Sequence, residues 1–158
     1  MIPAEEWWHI VEAYGARIWS AQIVFYVLAI LLTGWLLLKP GRVQSWFTKL
    51  YLSLAFAGIL FFIVLAPGIT GDSYGNYLFG SLFTVVAVLF AVDLFRQKIQ
   101  FSPPAAGWRA YATWALMVLV LGYPLFGAAL GHRLTSLIVP GTMPCPTTAF
   151  ALLLLTTA

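Results

Sequence analysis

Four long runs of apolar residues constrain the fold of this chain more than any other feature of its sequence. A helix needs about 20 predominantly apolar residues, rising about 1.5 Å each, to cross a hydrocarbon core of about 30 Å. Of the 158 residues, 62% are hydrophobic and 8% are charged, whereas about a quarter of a soluble domain is charged. This composition excludes a cytosolic globule, a disordered chain and a nucleic-acid-binding protein, and it predicts an integral membrane protein.

The four runs predict an all-α, single-domain bundle of transmembrane helices. Continuous apolar runs favour helices, because a transmembrane barrel strand alternates over about 10 residues instead. A fifth run is too short to cross and indicates half of a fifth span, so we expect the natural chain to continue beyond it. The predicted full spans are residues 18–38, 46–66, 77–95 and 108–130, and the partial span is 147–158.

The basic residues predict the orientation, since short cytoplasmic loops retain lysine and arginine. Six of the eight basic residues fall in the loops after the first and third spans, and four of the five acids fall on the opposite side. The sequence therefore predicts a bacterial inner-membrane protein with its N-terminus outside. Arg17 and Arg133 are exceptions, since this topology places them on the outer side. Asp93, at the inner end of the third span, is expected to pair with Arg96. The six basic residues are Lys39, Arg42, Lys49, Arg96, Lys98 and Arg109.

The segment before the first span has the pattern of an amphipathic helix lying in the outer interface, over about residues 4–16. Glu5, His9 and Glu12 share one face of it at i, i+4 and i+7. Two carboxylates and an imidazole at this spacing can bind a divalent ion or pass protons. A solvated helix face explains the same pattern without any function.

The most unusual local chemistry is the segment 141–148, which the topology places at the outer mouth of the fifth run. Two prolines flank Cys145 and hold the chain away from helix on the approach side. Thiolate and thioether sulfur select soft metals such as Cu(I), so Met143, Cys145 and His132 form a candidate soft-metal or thiol site. Ordinary helix-start chemistry is the competing explanation, and no other cofactor is evident.

The fourth span carries small residues and a proline in its second half. Gly127 and Gly131 form a small-xxx-small pair, and Pro124 frees a backbone carbonyl one turn back. Together with Gly122, these residues predict close helix packing and a kink.

Two stretches resemble a known family. Residues 12–22, with the sequence EAYGARIWSAQ, and residues 141–148, with the sequence GTMPCPTT, are similar to a family of uncharacterised bacterial multi-pass membrane proteins, a domain of unknown function. The resemblance implies the same helical architecture and a longer natural chain. It implies no reaction, ligand or partner.

Three classes of function stay open. The first is transport or binding of a small solute or soft metal ion at the outer pocket. The second is a non-catalytic subunit or scaffold that packs against lipid, a second copy of itself or other membrane subunits. The third and weakest is an intramembrane hydrolase: residues 71–75 match the G-x-S-x-G pattern around Ser73, but the strand which that motif requires does not precede them.

Overall fold

The computed structural model describes residues 4–65, 74–131 and 139–158, and its regular structure in those ranges is helical, without a strand. This confirms the all-α prediction for the described part of the chain. The five helices are α1 (Ala4–Leu38), α2 (Arg42–Leu65), α3 (Tyr74–Arg96), α4 (Trp108–Ala129) and α5 (Pro144–Leu155).

Helix α1 merges the predicted interfacial helix and the first predicted span. It runs for 35 residues, and Ile18 interrupts its helical dihedrals with φ −121° and ψ 15°. Because Ile18 is the first residue of the predicted span, the sequence located the bend correctly. The kink divides α1 into one helical part before Ile18 and one after it, which agrees with the expected division into two helical segments.

The position at which α2 begins changes the number of basic residues that lie in the first loop. The helix begins at Arg42, directly after the Pro40-Gly41 break, and not at residue 46. Lys49 therefore lies about two turns inside a helix, so assigning it to the first loop was wrong. At the other end of the chain, α5 begins at Pro144 rather than residue 147, because proline is favoured in the first turn of a helix.

Helix α2 occupies the centre of the bundle. It packs most extensively against α3 and also contacts α1 and α5, while α4 packs against α5 and α1. Phe56 on α2 stacks with Phe83 and Phe90 of α3 at ring-centroid distances of 5.9 and 6.1 Å. Tyr51 on α2 meets the ring of Phe150 on α5 edge-on at 5.9 Å. These rings are part of the apolar core that holds the helices together.

Two segments of the described chain are long and apolar enough to cross a membrane, Glu12–Leu38 and Trp108–Ala129. Only 28% and 17% of their most apolar 18 residues are buried within the chain, whereas the core helix of a soluble protein would be mostly buried. By length and composition these segments match the first and fourth predicted spans. The spans at 46–66 and 77–95 stay predictions.

Candidate functional site

The segment that leads into α5 is tied down by its own hydrogen bonds and by α1. Thr147 Oγ1 accepts a hydrogen bond from the Gly141 backbone N–H at 2.7 Å and donates one to the Met143 carbonyl at 2.5 Å. The Tyr14 hydroxyl of α1 donates to the Thr142 carbonyl at 3.0 Å. Thr147 and Thr142 are both buried, so this part of the segment belongs to the packed core.

Gly141 allows the same segment to approach α1 closely. Its φ is +97°, in the left-handed region that side chains disfavour, and a Cβ there would lie 2.5 Å from Cδ1 of Phe25. The Gly141 carbonyl oxygen lies 3.7 Å from the Cβ position of Gly58 on α2. The loop therefore packs between α1 and α2 at a point where only glycine fits.

The predicted sulfur residues occupy different environments. Met143 is buried, with 4% of its surface exposed, whereas Cys145 is exposed beside an open groove of about 290 Å³. His132 lies outside the described residues. No group of three histidine, cysteine, aspartate or glutamate side chains comes together in the parts of the chain that the structure describes. The groove is lined by Leu119, Val120, Tyr123, Cys145, Pro146 and Ala149.

Helix α1 carries Glu5, His9 and Glu12 at the predicted helical spacing. The side chains of residues 4–11 lie outside the described part of the structure, and Glu12 is half-buried. The proposed polar cluster therefore stays a prediction. Ser73 of the hydrolase pattern also lies outside the described residues.

The glycines of the fourth span divide between helix and turn. Gly131 follows the end of α4 with φ +87°, its N–H donates to the Ala128 carbonyl at 3.1 Å, and nothing lies within 4 Å of its Cβ position. It ends the helix, as a glycine with positive φ commonly does. The nearest atom to the Cβ position of Gly122 belongs to Phe126 on the same helix. Pro124 is buried within α4, as its place in the fourth span predicts.

A buried ion pair that the sequence analysis missed joins α2 to α3. Lys49 Nζ lies 3.0 Å from Asp93 Oδ2, and the Lys49 side chain is completely buried. The ammonium also donates to the carbonyls of Asp93 at 3.2 Å and Ile99 at 3.1 Å, and to Gln97 Oε1 at 3.3 Å. Because an ammonium has three protons, four oxygen atoms fill its hydrogen-bonding capacity.

Asp93 also organises the backbone where α3 ends. Its Oδ1 accepts from the Lys98 N–H and its Oδ2 from the Ile99 N–H, both at 3.1 Å. Gln97 adopts a positive φ of 52° in this turn, and its side-chain amide donates to the Leu94 carbonyl. The expected pairing of Asp93 with Arg96 was wrong, since the carboxylate faces α2 and the loop, while Arg96 is exposed.

The loop after α3 then connects the ends of two further helices. The Phe101 N–H donates to Ser45 Oγ of α2 at 2.9 Å, and the Ser102 N–H donates to the Thr157 carbonyl, just beyond α5, at 2.7 Å. We call Lys49, Asp93, Gln97 and the backbone of residues 98–102 the inner polar cluster, because the sequence predicts that this end faces the inner side of the membrane. Its contacts fasten α2, α3 and α5 together at one end of the bundle.

One feature of the sequence could have revealed this cluster. Lys49 lies inside the apolar run 46–66, and Asp93 is the acid that lies within another apolar run. A buried lysine needs a partner, and Asp93 was the candidate nearest to a buried position. The local i, i+3 rule led instead to Arg96, because it considers one helix at a time.

These features define the chain as a helical bundle with two candidate membrane-spanning helices and an internal ion pair. It belongs to a family of unknown function, DUF6064, whose model matches residues 4–158. Comparisons with curated proteins and with solved structures find no match. Membership confirms the expected resemblance to a domain of unknown function and assigns no activity.

Proposed function

We propose that this chain is an inner-membrane protein with four full spans and its N-terminus outside, and that it serves as a non-catalytic accessory or scaffold subunit of a membrane assembly. The observation that carries the proposal is that the charged groups of the inner polar cluster are paired within the protein. Lys49 and Asp93 are directed at each other and at the adjacent loop. A transporter would instead present ionisable groups to a solute path within its spans.

The outer surfaces of the helices support membrane insertion. Large apolar side chains are strongly exposed, including Leu38 at 88% and Phe95 at 89%. Exposed apolar faces of this extent are typical of lipid-facing or subunit-facing surfaces. They suit a protein that packs against lipid and against neighbouring helices.

The proposed orientation rests on the basic residues that remain after Lys49 is removed from the count. Five of them are exposed at the end of the bundle that holds the inner polar cluster. Lysine and arginine at this density favour the cytoplasmic side. The five are Lys39, Arg42, Arg96, Lys98 and Arg109.

Cysteine labelling in intact cells tests the orientation. Cys145 is the single cysteine, so Cys145→Ser gives a background without thiols, and Leu130, which is 80% exposed just after α4, lies at the proposed outer end. A membrane-impermeant maleimide should label Leu130→Cys in this background from outside, and should fail to label Lys39→Cys in the same background until the cells are opened. Labelling of the two positions in the reverse order would contradict the orientation.

Site-specific photo-crosslinking tests the scaffold role. A photoreactive residue at Leu125, which is 67% exposed on α4, should give one discrete crosslinked protein band in native membranes. The same residue at Phe150, which is fully buried, should give none and serves as the control. Crosslinks to lipid alone at Leu125, Leu116 and Val118 would contradict a role as a subunit.

The groove beside Cys145 favours a second candidate function, the binding of a small solute or soft metal ion in the outer half of the bundle. An exposed thiol faces a cavity of about 290 Å³ there. Retention of Cu(I) by the purified protein, lost in Cys145→Ser and kept in Met143→Leu, would support it. Equal copper content in wild type and Cys145→Ser would refute it.

A further inference from the structure

A second groove lies at the inner end of the bundle, between the first turns of α2 and the end of α3. It measures about 410 Å³ and is lined by Arg42, Val43 and Trp46 of α2 and by Leu94 and Gln97 on the α3 side. Gln97 uses both ends of its amide group within the protein, with Lys49 and with the Leu94 carbonyl. The groove therefore offers apolar walls and one charged group, the guanidinium of Arg42.

The electrostatic environment of this groove is positive. Lys39, Arg96 and Lys98 are exposed at the same end, and the acid there, Asp93, is engaged with Lys49. The first turn of α2 contains no acidic residue. An arginine at this position adds to the partial positive charge of the helix N-terminus. An anion bound at Arg42 would therefore balance positive charge. No acidic side chain in the described part of this end is left to do so.

Aromatic side chains indicate the level at which the groove would lie in a membrane. Trp46 forms part of its wall, contacts Phe47 edge-on at a ring-centroid distance of 5.1 Å, and is 37% exposed. Trp35 lies 5.7 Å from the same Phe47 ring. Tryptophan concentrates at the level of the lipid headgroups. The groove would then have its charged end at the headgroup phosphates and its apolar wall toward the acyl chains.

We propose that this groove binds an anionic phospholipid of the inner leaflet. The headgroup phosphate contacts the Arg42 guanidinium, and the upper part of an acyl chain lies along Val43, Trp46 and Leu94. Charge complementarity selects the anion, since arginine pairs well with phosphate oxygens. The apolar wall selects a lipid over a free ion. The inference rests on the proposed membrane location.

Lipid retention by the full-length protein tests this assignment. The protein is reconstituted into nanodiscs of phosphatidylcholine with a minor fraction of phosphatidylglycerol of the same acyl chains, released into mild detergent, and its bound lipids are counted by native mass spectrometry. We expect retained phosphatidylglycerol on the wild type and about tenfold less on Arg42→Gln, the effect of losing one charge-assisted contact.

Arg109→Gln is the matched control, because Arg109 is an exposed arginine in the first turn of α4 that does not line the groove. It should change retention less than about twofold, as a surface arginine outside a site would. Val43→Glu, which adds an acid to the groove wall, should reduce phosphatidylglycerol as Arg42→Gln does. Circular dichroism establishes that each variant remains helical.

Several outcomes would overturn the assignment. Equal losses in Arg42→Gln and Arg109→Gln would mean general attraction to the charged surface, and unchanged retention in Arg42→Gln would mean that no site exists. Displacement of the lipid by excess inorganic phosphate would identify a site for the anion alone. If the protein fails to enter nanodiscs at all, the membrane proposal fails too, whereas entry without lipid preference refutes the groove assignment only.

Discussion

Replacing Lys49 by methionine tests whether the inner polar cluster holds the bundle together. Methionine keeps an unbranched apolar stem but removes the ammonium, so four oxygen atoms lose their donor. Asp93 would then be a largely buried carboxylate without a counter-ion. Removing one member of a buried pair costs about 3–5 kcal/mol. For a domain of this size that corresponds to a fall of roughly 6–20 °C in melting temperature.

The assay is thermal unfolding of the purified protein in mild detergent, followed by circular dichroism. The double variant Lys49→Met with Asp93→Leu should recover about half of the loss, because an apolar pair often replaces a buried ion pair at little cost. Recovery stays incomplete, since the Lys98 and Ile99 N–H groups lose their acceptor. Lys39→Met removes an exposed charge and should change stability by less than about 0.5 kcal/mol.

Two results would refute this reasoning. One is a Lys49→Met protein that melts within about 2 °C of wild type, because a loss of only about 1 kcal/mol would already lower the melting temperature by that much or more. The other is a double variant whose loss equals the sum of the two single losses, since additivity means that the two side chains do not interact.

Further predictions concern two pairs of variants, compared by the same melting assay. Tyr14→Phe should cost about 1 kcal/mol, because it removes a buried hydrogen bond to the loop before α5, whereas Tyr51→Phe should cost nothing or stabilise slightly, because that buried hydroxyl has no hydrogen-bond partner in the described structure. Equal effects would contradict this comparison. Gly141→Ala should destabilise by about 2 kcal/mol or more, from backbone strain and the clash with Phe25. Gly34→Ala, which meets open space within α1, should be neutral or stabilise by up to about 1 kcal/mol.

The sequence predicted well what depends on neighbouring residues. Helix α4 begins at the predicted residue, and its last helical residue is one before the predicted end. Pro103 and Pro104 before it and Gly131 after it are local signals, which act on the backbone at their own positions. The bend at Ile18 was likewise located by the change from an amphipathic to an apolar pattern.

The contacts missed from the sequence join residues far apart in the chain. Lys49 and Asp93 are 44 positions apart, and Tyr14 and Thr142 are 128 apart. Spacing rules for a single helix cannot find such pairs. The environments of Met143 and Cys145 differ from the prediction for another reason. The prediction assumed that two sulfur-containing residues close in sequence are also neighbours in space. Met143 is extended and buried before the helix begins, whereas Cys145 is exposed in the first turn.

Helix α5 is clamped at both of its ends. Tyr14 holds the chain just before it, and Ser102 holds the carbonyl of Thr157 just after it. With 12 residues, the helix measures about 18 Å, so it acts as a strut that sets the separation between those two anchor points. A spacer of fixed length between α1 and the loop after α3 keeps these two distant parts of the chain in register.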